Sequence, residues 1–302
     1  IVSAGGKHSL ANVMLCIINP GDEVIIPAPY WVSYYDQVVL AGGKPVEVPC
    51  TFENNFDLDP KAIEAAITPK TKAILIGYPN NPTGATITKE QLKRWVDFAR
   101  ENKALILYDA AYEAFIRDSS LPKTIYEIDG AREVAIEFRS YSKTAGFTGT
   151  RCAFTVIPKE CMGYDNAGNK HSLHAMWNRR HTTKFNGVSY PVQKATEAVY
   201  SGEGQKQVKG IIDGYLENAK IIREKMTSYG YSCTGGENSP YIWVNTKKNS
   251  WEFFDMLLNR CQVVTTPGEG FGKCGEGYIR ISAFNSKENV INAMERSKAI
   301  TC

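Results

Sequence analysis

Through about residue 160, short apolar runs alternate with amphipathic stretches. The runs at 23–27, 44–48, 72–77, 104–108, 134–139 and 152–157 predict strands linked by helices, the alternation that a mostly parallel α/β sheet requires. Such strand-helix-strand units bury each strand on both faces and deliver polar residues at the strand ends. The clearest predicted helix covers 89–101. Thr88 and Gln91 form a capping box before it, and Leu92, Trp95, Val96 and Ala99 recur at helical spacing. Another apolar helical run extends from Leu10 to Ile17. Around Gly202 the pattern changes: a long helix at 205–226 carries Val208, Ile212, Tyr215, Ala219, Ile222 and Met226 in one stripe. Strands at 241–245, 263–266 and 278–283 follow, with helices at 251–259 and 287–298. This succession predicts a large α/β domain over 1–204 and a smaller α+β domain over 205–302.

Composition narrows the class. The chain has 302 residues, of which 43% are hydrophobic, enough for a large core. Its 35 basic and 32 acidic side chains leave a net charge of only +3, with no long basic run, which argues against a nucleic-acid or anionic-membrane surface and favours small anionic ligands. No apolar stretch approaches the roughly 20 residues needed to cross a bilayer, and the first residues do not read as a signal peptide. A cytoplasmic location is expected. The eight cysteines, Cys16 through Cys302, show neither metal-type pairing nor a dense disulfide pattern and are expected as free thiols. His171, His174 and His181 share one stretch but lack a completing carboxylate or cysteine, so no metal site is expected. The chain opens at Ile1 and almost at once enters a glycine turn, so a preceding N-terminal portion is expected.

The candidate chemistry centres on Lys143, in the run Ser140-Tyr141-Ser142-Lys143-Thr144-Ala145-Gly146. Ser140 and Ser142 alternate at a strand end, and Arg151 begins the next strand after a glycine-rich loop, so several phosphate donors converge on one lysine. An enzyme that holds pyridoxal phosphate needs this set: an amine for the covalent link, hydroxyls and a guanidinium for the phosphate. Asp109 ends the apolar run at 104–108, where α/β sheets bind ligands. It reads either as a helix N-cap or as a buried carboxylate paired with the cofactor's protonated ring nitrogen. Asn81, in the turn Asn81-Pro82-Thr83-Gly84, and Tyr112 are candidate donors to the ring's phenolic oxygen. Gly6 and Lys7 open a predicted helix whose amides and dipole suit a phosphate. Trp31 reads as a core residue or as a ring laid on the cofactor face. Arg280, between apolar neighbours on a predicted strand, faces solvent or meets an anion such as a substrate carboxylate.

Taken in order, these motifs resemble the fold-type I pyridoxal-phosphate aminotransferases over essentially the whole chain. The resemblance implies a large, mostly parallel mixed sheet sandwiched by helices, plus a small α+β C-terminal domain. It makes Lys143 the Schiff-base lysine and proton shuttle and pairs Asp109 with the ring nitrogen. It puts Asn81 and Tyr112 on the phenolic oxygen, and Ser140, Ser142, Arg151 and the Gly6 and Lys7 amides on the phosphate. Trp31 stacks, and Arg280 binds carboxylate. From about Tyr78 onward, the stretches at 80–84, 108–112, 143–151, 185–187, 240–244, 263–272 and 277–284 resemble more closely the LL-diaminopimelate aminotransferases. Those enzymes interconvert LL-2,6-diaminopimelate plus 2-oxoglutarate and tetrahydrodipicolinate plus glutamate, in lysine biosynthesis. They are homodimers with shared active sites, and Asn186 resembles a substrate-binding residue that reaches across from the partner. The first 77 residues, with Ala28-Pro29-Tyr30-Trp31, look like an aspartate-type aminotransferase. Two alternatives accompany this reading: an aspartate or broad-specificity aminotransferase, and an aminotransferase-like ligand-sensing domain of a transcription regulator.

Overall fold

Val24 and Ile26 enter one hydrophobic core, Ile25 enters another, and all three are fully buried. A strand with apolar side chains on both faces needs cover on both, and that need sets the architecture. The computed structural model describes residues 1–51, 56, 59–165 and 167–301. Its main sheet has seven strands among the described residues. Across the sheet they run β1 (Val2–Ser3), β7 (Ala153–Val156), β6 (Ala135–Ser140), β5 (Leu105–Asp109), β4 (Thr71–Gly77), β2 (Glu23–Ala28) and β3 (Lys44–Pro49). From β3 across to β6 all neighbours are parallel; β7 runs antiparallel to β6, and β1 antiparallel to β7.

Helices cover both faces. On one side, α4 (Lys89–Glu101) inserts Leu92, Trp95, Val96 and Ala99 against Ile25, Ile74, Ile76 and Ile106. The predicted capping box is present, with the Thr88 hydroxyl and the Gln91 side chain each accepting the other residue's backbone N–H. On the other side, α1 (Gly6–Ile17), α2 (Ser33–Leu40) and α7 (Leu173–Lys184) pack Leu10, Met14, Tyr34, Val38 and Trp177 against Val24, Ile26, Leu75 and Leu107. Shorter helices α3 (Pro60–Ala66), α5 (Ala131–Val134), α6 (Tyr141–Thr144) and α8 (Tyr190–Ala198) fill connections, and β8 (Met162–Tyr164) pairs with β9 (Lys170–Ser172) as a hairpin.

Beyond α9 (Gly202–Ser228) lies a four-stranded antiparallel sheet in the order β10 (Cys233–Gly235), β11 (Tyr241–Asn245), β13 (Tyr278–Ser282), β12 (Thr266–Pro267). With α10 (Ser250–Met256) and α11 (Lys287–Ser297) it forms a third core around Ile222, Met226, Val244, Phe253, Ile279 and Met294. The expected division at 204/205 falls in the first turn of α9. The fold class expected from the sequence, a mostly parallel sheet between helix layers with a smaller α+β unit, is the one observed.

Local differences have physical causes. The strand expected at 263–266 is reduced to Thr266–Pro267, which pairs only with Arg280 and Ile279. Before it, Gln262 adopts a left-handed conformation (φ 54°) after a widened helical turn at Leu257–Cys261. Pro267 then offers no N–H to continue a ladder. Helix α2 was not apparent in the sequence, because Ser-Tyr-Tyr-Asp-Gln-Val-Val-Leu is rich in aromatic and β-branched residues. The seven cysteines other than Cys302 form no disulfide among the described residues, and Cys302 lies outside them. Among the described residues, no helix is long and apolar enough to cross a membrane.

Candidate active site

Strands β4, β5 and β6 end side by side at Gly77, Asp109 and Ser140, the carboxyl edge where parallel sheets present polar groups. A cavity of about 360 Å3 opens there. Gly77 is the register partner of Asp109. A Cβ at Gly77 would stand 2.8 Å from the Tyr34 hydroxyl, so its absence lets that hydroxyl reach across and donate to Asp109 Oδ2 at 2.7 Å. The other carboxylate oxygen accepts the Ala111 N–H at 3.1 Å. Burial pushes the Asp109 carboxyl above its usual range, against the opposing pull of these two hydrogen bonds. No cation pairs with it among the described residues.

Another part of the cavity wall is electropositive. Helix α1 has no capping side chain and no acidic residue in its first turn, so the Gly6 and Lys7 end carries an undiminished dipole into the cavity wall. Arg151 holds a left-handed backbone (φ 64°), unusual away from glycine. Its guanidinium donates to Thr148 O at 2.9 Å, Ser142 Oγ at 3.4 Å and Ala4 O at 3.4 Å. Gly5 makes this possible: at φ 91°, a Cβ there would lie 2.1 Å from Arg151 Nη2. Ser140 caps α6, its Oγ accepting Ser142 N–H at 3.2 Å.

Lys143, on α6, lines the same cavity. Its Nζ is 4.9 Å from the centre of the Phe284 ring and has no acceptor among the described residues. Burial, then Arg280, then Arg151 hold the amine below the ordinary lysine range. Arg280 reaches in from β13, donating from Nη1 to Asn81 Oδ1 at 2.7 Å and from Nη2 to Thr266 Oγ1 at 3.3 Å, while its buried Nε has no partner among the described residues. The Asn81 loop is pressed against the smaller sheet, where a Cβ on Gly84 would meet Gly235 Cα at 2.5 Å.

The structure thus gathers eleven sequence-predicted residues around one cavity: Gly6, Lys7, Trp31, Asn81, Asp109, Tyr112, Ser140, Ser142, Lys143, Arg151 and Arg280. Trp31 lies under the Lys7 amine, 5.3 Å from the ring centre. Asn186 is exposed on the loop after α7 and does not line this cavity. Asp109 is not a helix cap but closes β5. Sequence reasoning missed Tyr34, Gly77, Thr148 and Tyr241, which also line the cavity. Neither Tyr34, on a helix that intrinsic propensity opposes, nor Tyr241, inside an apolar strand, carried a signal. Elsewhere, His171 bonds Asp165 at 2.9 Å and His181 packs edge-on against Phe185. Among the described residues no three metal-ligating side chains gather.

This arrangement fits pyridoxal phosphate. A buried carboxylate without a cation suits a protonated ring nitrogen, the glycine-cradled guanidinium and helix end suit a phosphate, and an amine held below its ordinary range lines the same cavity.

The model of the family "Aminotransferase class I and II" matches residues 1–296. The chain is 56% identical to an LL-diaminopimelate aminotransferase of Desulforapulum autotrophicum, over 98% of this chain and 74% of that protein. It is 58% identical to one of Desulfosudis oleivorans, over 91% of this chain and 68% of that protein. Among solved structures, the L,L-diaminopimelate aminotransferase from Chlamydomonas reinhardtii superposes with a TM-score of 0.91 at 40% identity, covering 100% of this chain and 75% of that one. A match over 98% of the chain runs through residues 1–77 as well, the stretch with the aspartate-type aromatic loop. By the family model, and by relatives more than half identical along nearly all its length, the chain belongs to the class I and II aminotransferases.

Proposed function

We propose that this aminotransferase exchanges an amino group between LL-2,6-diaminopimelate and 2-oxoglutarate, giving tetrahydrodipicolinate and glutamate, with pyridoxal phosphate as cofactor. The observation that carries the substrate assignment is 56% identity over 98% of the chain to an enzyme of that name. The cofactor assignment rests on the cavity's three poles, the Asp109 carboxylate, the Lys143 amine and the Arg151 guanidinium.

When bound, pyridoxal phosphate supplies an electron sink for the bond that breaks at the substrate's α-carbon. The chain's own residues do the rest. Arg151, Ser140, Ser142 and the Gly6–Lys7 helix end hold the phosphate. Asp109, which accepts a hydrogen bond from Tyr34, would keep the ring nitrogen protonated; Asn81 and Tyr112 would donate to the ring oxygen, and Trp31 would cover the ring. Lys143 would hold the cofactor through its amine and, with that amine released when substrate takes its place, would carry the α-proton on Nζ within the site. Burial, then the Arg280 and Arg151 guanidiniums, hold that amine below the ordinary lysine range, which favours its proton-accepting form. Arg280 grips the substrate carboxylate, and its unpartnered Nε supplies a donor already desolvated for that purpose. The division into a 1–204 cofactor domain and a 205–302 small domain, the homodimer with Asn186 entering the partner's site, and a cytoplasmic location belong to the same reading.

The test compares amino transfer from glutamate to tetrahydrodipicolinate with transfer to oxaloacetate. Preference for tetrahydrodipicolinate is expected, and preference for oxaloacetate would make the enzyme an aspartate aminotransferase. Lys143→Ala should lower turnover by at least about 100-fold, since both the anchor and the proton carrier are lost.

A further inference from the structure

Two tyrosine hydroxyls meet where the four-stranded sheet faces the cavity. Tyr112 Oη and Tyr241 Oη are 2.8 Å apart, their rings packed edge to face at 5.1 Å, and both line the cavity. Tyr241 is held on three sides: by pairing of β11 with β13, by the Arg280 guanidinium 4.5 Å over its ring, and by the edge of Phe284 at 5.9 Å. Burial raises both phenols, so each carries its proton at neutral pH. Arg280 and Asp109 are the charged groups acting on the pair.

Two hydroxyls in contact hold two protons, one in the bond between them and one free to point elsewhere. The surroundings decide which oxygen keeps the free proton. A cation on the ring face draws electrons from Tyr241 and makes its O–H the better donor. If Tyr112 donated instead, its proton would be turned away from the cavity, and the cofactor's ring oxygen would lose a donor.

We propose that Tyr241 is a positioning residue for the cofactor: its O–H donates to Tyr112 Oη, which turns the Tyr112 proton toward the cofactor's ring oxygen and polarises Tyr112 into a stronger donor. This rests on the reading that pyridoxal phosphate occupies the cavity. A residue of the smaller sheet thereby sets the electronics of a cofactor held on the larger one.

The test titrates with pH the absorbance of the Lys143–cofactor linkage in the loaded wild type, Tyr241→Phe, Tyr112→Phe and the double variant. Tyr241→Phe keeps the ring beneath Arg280 and removes only the hydroxyl. Its midpoint should rise by roughly 0.3–1 pH unit, the range open to one neutral hydrogen bond, and should add nothing in the Tyr112→Phe background. An unmoved midpoint, or an equal rise in both backgrounds, overturns the proposal. A wild type with no pH-dependent band overturns the cofactor reading, and the proposal with it. Independently, in cofactor-free protein Tyr241→Phe should weaken binding of pyridoxal phosphate about 2- to 10-fold while sparing its 3-deoxy analogue, which lacks the ring oxygen. Equal weakening of both ligands counts against the relay.

Discussion

Asp109 concentrates the electrostatic logic of the site at the scale of one residue. Burial lifts its carboxyl above the ordinary value, so the folded protein binds that proton more tightly than the unfolded chain. The stabilisation is therefore complete below the ordinary carboxylate range and is lost as pH rises through the raised value. In cofactor-free protein, Asp109→Asn should melt above wild type at pH 7, with the gap closing as pH falls toward about 4. Pyridoxal phosphate should reverse the order at pH 7, because a protonated ring nitrogen then meets the carboxylate. Calorimetric melting temperatures across pH, with and without cofactor, measure both signs. The residue type and its position after an apolar strand made Asp109 legible in the sequence. Tyr34, its hydrogen-bond partner, was not: 75 residues separate the two, and only the missing Cβ of Gly77 lets them touch.

At the scale of elements, periodicity made α4 and α9 plain, since each buries a stripe at helical spacing. The start of α1 was visible only as a glycine pair. What makes it part of the site is close approach: Gly5 is left-handed and abuts Arg151, whereas a Cβ on Gly6 would make only ordinary contact with Ser140 at 3.7 Å. Gly5→Ala should consequently destabilise by about 1–3 kcal/mol and displace Arg151 from the phosphate pole, while Gly6→Ala is milder. Thermal melts, together with the increase in melting temperature on adding pyridoxal phosphate, check this. Gly5→Ala should lose most of that increase. Helix α2 escaped the sequence reading because intrinsic propensity opposed it, and burial of Tyr34 and Val38 against β2 overrides that preference.

At the scale of the whole molecule, Asn186 stands apart from the cavity of its own chain. If it serves the site of a second copy, Lys143→Ala and Asn186→Ala protomers should complement each other. Random exchange puts one intact site on half of the dimers, so activity should recover toward about one quarter of wild type on mixing. Activities that merely add would mean that each chain works alone. The α/β class, the strand and helix alternation, the lysine with its neighbouring serines and arginine, and the strand-end aspartate were all determined by the sequence, because local period and residue chemistry follow from covalent order. The tertiary structure decided what depends on distance between remote segments: the Tyr34–Asp109 bond, the seating of Arg151 against Gly5, and the meeting of Tyr241 with Tyr112. Those contacts join residues 75, 146 and 129 positions apart, and only packing of helix on sheet, pairing of strands distant in the chain and the meeting of the two sheets bring them within reach.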